Sequence, residues 1–237
     1  MAPRAATDEI AWYEASLPRE AGILLHLSVG HGRLLIPLLE AGLSLHGVDT
    51  SAACLGRCGE RLDEAGRRAE LFRQDATALN LPFRYAAAFF AAGTFQRLTS
   101  RVRALDALLR IRAHMIGPGL LLLDLVVPEE AAHPPGAPIV ELRTLALPDG
   151  SQIARRSETV VDPVARRSVV HNRFERRRGA KVTAREDDVC ELTWYAEEEI
   201  VAIVRDAGYG GIRCEPLPWR QAPNDRPARH FAVTARV

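Results

Sequence analysis

Residues 26–33 read His-Leu-Ser-Val-Gly-His-Gly-Arg, and Gly30 and Gly32 stand between an apolar run and a segment able to form a buried helix. A glycine-bearing turn from strand to helix lets backbone N–H groups approach a ligand at the positive end of the helix. That is the geometry of a nucleotide-type pocket. A dinucleotide fingerprint would carry another glycine three residues past Gly32, where this chain has Leu35, which weakens the oxidoreductase reading. Asp49 follows Gly32 by 17 residues, at the end of the next apolar run, where a carboxylate can accept two hydrogen bonds from a ribose diol. Asp75 follows a third such run. A cap or turn role explains either aspartate taken singly. In order, however, the glycine turn, Asp49 and Asp75 fall on one edge of a parallel sheet, and ligands of open α/β sheets sit at the carboxyl ends of the strands.

The elements that must position these residues alternate strand and helix through residue 125, the pattern of a parallel sheet with covering helices. Strands are expected at 23–28, 43–48, 69–73, 86–90 and 120–125. Helices are expected at 33–41, at 51–65 with Ser51 as cap, and at 101–115, where Leu105, Leu108, Leu109, Ile111 and Met115 form the apolar side. Gly117-Pro118-Gly119 is read as the turn into the last parallel strand. Beyond Pro128 the texture changes. An Ala- and Pro-rich loop at 129–138 precedes four stretches of strand character, 139–147, 151–161, 166–178 and 181–193, joined by turn chemistries that suit hairpins. Helix returns at 196–207, and 212–216 with 230–237 form a final strand pair rejoining the first sheet. The resulting division is a core at 1–130, an antiparallel insert at 131–195 and a completing segment at 196–237.

Composition excludes several classes of function. With 237 residues, 47% hydrophobic and 26% charged, the chain is that of a folded globular protein. Its apolar stretches fall short of the roughly 20 residues a membrane-spanning helix needs. A net charge of +1 argues against a general nucleic-acid binder, which needs surplus basic charge on one face. Arg173–Arg178 is a local surplus, read as alternating charge on an exposed strand, with an anion-binding strip as the sharper alternative. Cys54, Cys58, Cys190 and Cys214 have no metal or disulfide spacing and are expected as buried thiols. No export signal is read in residues 1–20, so a cytoplasmic address is expected.

The ordered motifs resemble the class I S-adenosylmethionine-dependent methyltransferases, and within them small-molecule enzymes carrying an antiparallel insert before the last helix. The resemblance rests on His26–Gly32 with Arg33–Leu38, Gly47–Ser51, Gln74–Ala76 with Leu81-Pro82, and Gly93–Leu98. It continues through Ile111–Met115, Trp194–Glu199 and Asp206–Tyr209. It implies a doubly wound, Rossmann-like seven-stranded α/β sheet with S-adenosylmethionine as cofactor. By the same resemblance Ser28, Gly30 and Gly32 would face the methionine part, and Asp49, with Thr50 beside it, would hold the ribose hydroxyls. Asp75 would accept from the adenine amino group while the Ala76 N–H meets the ring. Ala92 and Gly93 would supply backbone near the departing methyl, and Tyr13, on an N-terminal lid helix, would cover the cofactor or act as an ordinary packing aromatic.

Three residues of the turn depart from the family pattern. His26 stands where an acid usually lies near the cofactor's ammonium, so that interaction is absent or supplied elsewhere. Ser28 replaces the first glycine, adding a Cβ where backbone should come close. His31 fills a position more often small. Two readings follow, a working methyltransferase with a rearranged site or a non-catalytic partner on the same fold. Methyl transfer requires alignment more than a fixed catalytic motif. His171, His114 and Asp124 are the titratable candidates for a general base, none assigned as catalytic. Trp194 and Tyr195 are candidates to wall the acceptor pocket, with core packing as the simpler role. His26 and His31 do not make a metal pair, and no metal is expected. A small-molecule acceptor is expected, and the insert is expected to roof the pocket, to pair two copies in a homodimer, or both.

Overall fold

The computed structural model describes residues 6–127, 138–217 and 229–237. The boundary expected at residue 130 and most of the loop expected at 129–138 lie outside them. The chain divides into two compact units, Met1–Val127 with Tyr195–Val237, and Pro128–Trp194.

The first unit alternates helix and strand in the order α1 (Thr7–Ser16), β1 (Leu24–Leu27), α2 (Leu35–Glu40), β2 (Leu45–Asp49), α3 (Ala52–Glu64) and β3 (Leu71–Arg73). It continues with β4 (Tyr85–Phe90), α4 (Arg101–Ala113) and β5 (Met115–Val127). Short 3-10 turns at Ala76–Ala78 and Thr94–Arg97 follow β3 and β4. After the second unit, which contributes four further strands, the chain returns as α5 (Glu197–Asp206), β10 (Gly210–Pro216) and β11 (Arg229–Arg236). The sheet order is β10-β11-β5-β4-β1-β2-β3. Strands β1 to β5 are parallel and β11 runs antiparallel to β5. Strand order therefore reverses at β1, between β2 and β4, which is where open α/β sheets place their ligand crevice.

Both faces of this sheet are buried, which is why its central strands are almost wholly apolar. Leu25, Leu27, Phe90, Leu121 and Leu123 pack on one face with Ala104, Leu108 and Ile111 of α4 and Ile200, Ile203 and Val204 of α5. Leu24, Phe89, Leu120 and Leu122 pack on the other with Tyr13, Leu17, Leu35, Leu38, Cys58 and Leu62. The apolar stripe of α4 differs from expectation. Ala104, Ala107, Leu108 and Ile111 are its buried positions, whereas Leu109 is 46% exposed. The helix also ends earlier than expected, at Ala113, and Gly117-Pro118-Gly119 lies within β5. Of the four thiols, all free, Cys58 alone is buried, and Cys54, Cys190 and Cys214 are partly exposed.

The second unit is a four-stranded antiparallel meander, β6 (Ile139–Ala146), β7 (Gln152–Asp162), β8 (Arg167–Arg178) and β9 (Lys181–Thr193). The arginines of β8 are used in surface ion pairs: Arg173 with Asp187, Arg176 and Arg178 with Asp149, and Arg177 with Glu175. Alternating charge on an exposed strand is thus what this segment displays. No described helix is long and apolar enough to cross a membrane.

Candidate functional site at the strand ends

The turn after β1 is held by its neighbours on the sheet. The Val29 N–H donates to Val48 O at 3.0 Å, and Gly32 N–H closes back on Val29 O at 3.1 Å. Ser28, Gly30 and Gly32 all have positive φ, +55°, +57° and +77°. The left-handed backbone is natural for the two glycines and costs a serine about 1 kcal/mol or more. Gly32 is fixed by space as well, since a Cβ there would lie 2.7 Å from Cys58 Sγ. At Gly30 a Cβ would meet nothing within 4 Å, so this backbone faces open space.

Asp49 ends β2 and ties two turns together. Its Oδ2 accepts from the Gly30 N–H at 2.8 Å and its Oδ1 from the Ser51 N–H at 2.9 Å. Ser51 in turn caps α3, accepting from Cys54 N–H at 3.2 Å. Asp75 caps the short turn after β3, accepting from the Thr77 N–H and hydroxyl at 2.8 and 2.9 Å, and pairs with Arg103 at 2.9 Å. Burial raises its pKa, but the Thr77 hydrogen bonds and Arg103 outweigh that and hold the carboxyl below its usual range.

The ends of β1, β4 and β5 carry a second cluster, centred on Asp124. This side chain is fully buried, and its Oδ2 accepts from the Ala92 N–H at 2.8 Å and from the Tyr13 hydroxyl at 3.2 Å. The Gly93 N–H donates to the Asp124 carbonyl at 3.0 Å. Ala92 shares the strained left-handed backbone of Ser28, with φ +57°. Arg33, one residue past the glycine turn, donates two hydrogen bonds to Glu9 of α1 at 2.5 and 2.7 Å. Tyr13 packs on Phe89 with ring centroids 5.5 Å apart, and His26 stacks on the same ring at 4.4 Å. Burial drives the His26 pKa down to about 3, with the Arg33 charge adding to the effect, so its imidazole is neutral at ordinary pH. The buried His26 Nδ1 has no hydrogen-bond partner.

Residues 24–114 match the profile of a family described as a methyltransferase domain. The first unit has the Rossmann-like fold of the S-adenosylmethionine-dependent methyltransferases. Among solved structures, an S-adenosylmethionine-dependent methyltransferase from Clostridium acetobutylicum superposes with a TM-score of 0.75 at 14% identity, covering 97% of this chain and 90% of that one. The CcbJ methyltransferase from Streptomyces caelestis gives 0.72 at 20% identity, over 98% and 90%. The sugar N-methyltransferase KedS8 from a Streptoalloteichus species gives 0.73 at 18%, over 97% and 87%. No curated protein matches the chain significantly.

The strand-end residues fit this methyltransferase family's cofactor on three observations. Each Asp49 oxygen spends one acceptor position on backbone and retains another for a hydroxyl. The Gly30 backbone faces open space, and the orphaned His26 Nδ1 is a buried polar atom that a ligand group would satisfy. Other expected residues stand differently. The Ala92 and Gly93 N–H groups are both consumed by Asp124 and are not free to meet a ligand. Thr50 is exposed, its carbonyl accepting from Arg73. His31 is bound to Arg61, whose Nη1 lies 2.7 Å from its Nδ1; burial first and the Arg61 charge second lower its pKa.

Of the base candidates, His114 lies at the far end of the sheet. Its Nε2 accepts from the Leu81 N–H at 3.0 Å, which places the proton on Nδ1 for Arg110 O, and both ring nitrogens are structural. His171 belongs to the antiparallel unit. Tyr195 is a core residue whose hydroxyl donates to Leu98 O at 3.2 Å, and Trp194 is buried, its backbone N–H donating to Arg166 O at 3.1 Å. A cavity of about 880 Å³ opens at the amino ends of β2 and β3, the edge opposite the glycine turn, and is not part of the site. Sequence reasoning missed Glu9, Arg33 and Gln96, the last clamping both backbone groups of Val126. Arg33 directly after the glycine turn was the available signal.

Proposed function

We propose that the protein transfers the methyl group of S-adenosylmethionine to a small-molecule acceptor. The observation that supports this reading is the hydrogen-bonded join of Gly30 and Asp49 at 2.8 Å, which sets a carboxylate with a spare acceptor position beside an open glycine turn at the point where strand order reverses. When bound, S-adenosylmethionine would supply an activated methyl on a sulfonium, with a neutral thioether as the leaving group. Asp49, with Thr50 beside it, receives the ribose hydroxyls. Asp75 and the Ala76 N–H receive the adenine edge, Asp75 with the acceptor positions that Thr77 and Arg103 leave. Ser28, Gly30 and Gly32 shape the floor under the amino-acid part, with His26 at its inner end. Ala92 and Gly93 line it through carbonyl oxygens and Cα, since Asp124 takes their N–H groups. Tyr13 closes α1 over this end and excludes water, which matters because displacement at a sulfonium is helped by alignment and desolvation.

The free cysteines suit a reducing compartment, and we assign a cytoplasmic address. We assign the four-stranded sheet to homodimer formation. Its edge strand β6 exposes Val140, Leu142 and Leu145, side chains that a second copy would cover.

Calorimetric titration with S-adenosylmethionine and S-adenosylhomocysteine tests the reading, with micromolar dissociation constants expected. Absence of binding at millimolar ligand would overturn it in favour of a non-catalytic partner protein. A mass-spectrometric screen for methylated products would begin with amino sugars, the substrate type named for structurally similar enzymes such as the amino pentose methyltransferase CalS10.

A further inference from the structure

The meander has two outer strands, and they meet solvent differently. β9 carries Lys181, Arg185, Glu186, Asp187, Asp188 and Glu191, charge of the kind that keeps an open edge from pairing with another chain. β6 carries only Glu141 and Arg143, set among Ile139, Val140, Leu142, Leu145 and Ala146. Val140, Leu142 and Leu145 are exposed, Leu142 by 75%. Such a strand is a template for another strand.

The direction of its backbone groups follows from the hairpin. The Leu147 N–H donates to Ser151 O at 2.8 Å, and the β6–β7 register runs without a shift from Ala146 opposite Gln152 to Ile139 opposite Thr159. Hydrogen-bonded and non-hydrogen-bonded pairs alternate along an antiparallel ladder. The odd-numbered residues of β6 therefore bond to β7, and the N–H and C=O groups of Val140, Leu142 and Thr144 point away from it. Among the described residues no strand lies on that side of β6.

A second copy of β6 fits this edge in one register. Antiparallel copies of one strand are related by a two-fold axis, and residues opposite each other share a face of the sheet. With the axis at Leu142, Leu142 meets its own copy, Val140 meets Thr144 and Ile139 meets Leu145. Glu141 of each chain then faces Arg143 of the other. An axis one residue to either side sets Glu141 against Glu141 or Arg143 against Arg143. The axis at Leu142 also opposes the outward backbone groups of Val140, Leu142 and Thr144, enough for about six hydrogen bonds. Within one chain Glu141 Oε2 stands 3.6 Å from Arg143 and from Arg155, beyond hydrogen-bonding reach of either, so a facing guanidinium adds a contact rather than displacing one.

We infer that two copies pair edge to edge through β6, antiparallel about a two-fold axis at Leu142, and join their meanders into one continuous sheet. The inference rests on the assignment of this sheet to homodimer formation above and gives it a register.

Sedimentation velocity on the full chain, from about 1 to about 100 µM, tests it. The wild type should be dimeric at the upper end with a micromolar dissociation constant, since a single strand pair buries less surface than a standard interface. Glu141→Arg and Arg143→Glu, each alone, oppose like charges at both sites and should weaken dimerisation by ~10-fold or more. Mixed in equal amounts, the two variants should form a heterodimer of near wild-type affinity, because every opposed pair again has opposite sign. Leu142→Pro removes an outward N–H at the axis and spares the β7 ladder, so it should be monomeric with an unchanged far-UV circular dichroism spectrum. This variant carries the test should a charge variant fail to fold.

A dimeric wild type whose charge variants and Leu142→Pro dimerise unchanged overturns the inference and leaves homodimer formation to another surface. Charge variants that are folded and monomeric but do not associate on mixing overturn the register. A wild type that stays monomeric at about 100 µM removes the homodimer assignment itself, and the inference falls with it.

Discussion

The two halves of the strand-end edge are built in different ways. On the β1–β2–β3 side, a glycine turn, Asp49 and Asp75 each occupy a strand terminus and are held mainly by backbone N–H groups, local ones in Asp49 to Ser51 and Asp75 to Thr77 and one across adjacent strand ends in Asp49 to Gly30. On the β1–β4–β5 side, Glu9, Tyr13, His26, Arg33, Ala92 and Asp124 come from distant segments, the bonded pair Tyr13 and Asp124 lying 111 residues apart, and side-chain charge and ring packing hold them together. The first half depends on local backbone conformation and tolerates few shapes. The second depends on compensation among buried polar groups, so one change there propagates to the others.

Removing one side of a compensated pair should give the largest effect. Arg33→Met leaves Glu9, whose side chain is 5% exposed, without its guanidinium and should destabilise the fold by about 3 kcal/mol in urea denaturation. Glu9→Gln combined with Arg33→Met should recover most of that loss. If the single and double variants are equally unstable, the cluster is held by packing alone.

Acid should also reveal the second half. The folded His26 stays neutral down to about pH 3, while in the unfolded chain it takes up a proton near 6.5. Its contribution to stability is therefore complete above about pH 6.5 and is lost as pH falls from there towards 3. Between these limits the wild type should lose about 1.4 kcal/mol per pH unit more than His26→Phe, which keeps the stack on Phe89. Parallel pH profiles for the two proteins would show that His26 is protonated in the fold.

The first half should respond to shape. Gly32→Ala imposes a Cβ at φ +77° and 2.7 Å from Cys58 Sγ, for an expected loss of about 2 kcal/mol by thermal denaturation. Adding Cys58→Ala should relieve the contact and leave the backbone part. Smallest is Ser28→Gly at the seam of the halves, which should stabilise by roughly 0.5–1 kcal/mol by removing strain at φ +55°. A loss instead would mean that the serine hydroxyl makes a contact worth more than the strain.

Much of the scaffold is legible in the chain because its signals are local. Apolar runs ending in glycine or aspartate mark strands β1 to β4 to within two residues, and turn chemistry at Pro148-Asp149-Gly150 and Gly179-Ala180 marks the hairpins of the meander. The exceptions are equally physical. An apolar count for α4 cannot tell that alanines face the sheet and Leu109 faces water, and a glycine-proline run reads as a turn although it is carried within β5.

For the site, the amino-acid sequence by itself determined the glycine turn, Asp49 and Asp75, because position on a strand end and a preference for positive φ are properties of neighbouring residues. It also showed that His26 and Ser28 depart from the family pattern. Only the tertiary structure decided what accompanies that departure: a neutral imidazole, an arginine spent on Glu9, and an Asp124 buried beneath Tyr13. Burial and charge compensation are sums over groups distant in sequence, and no spacing along the chain encodes which carboxylate will face which cation.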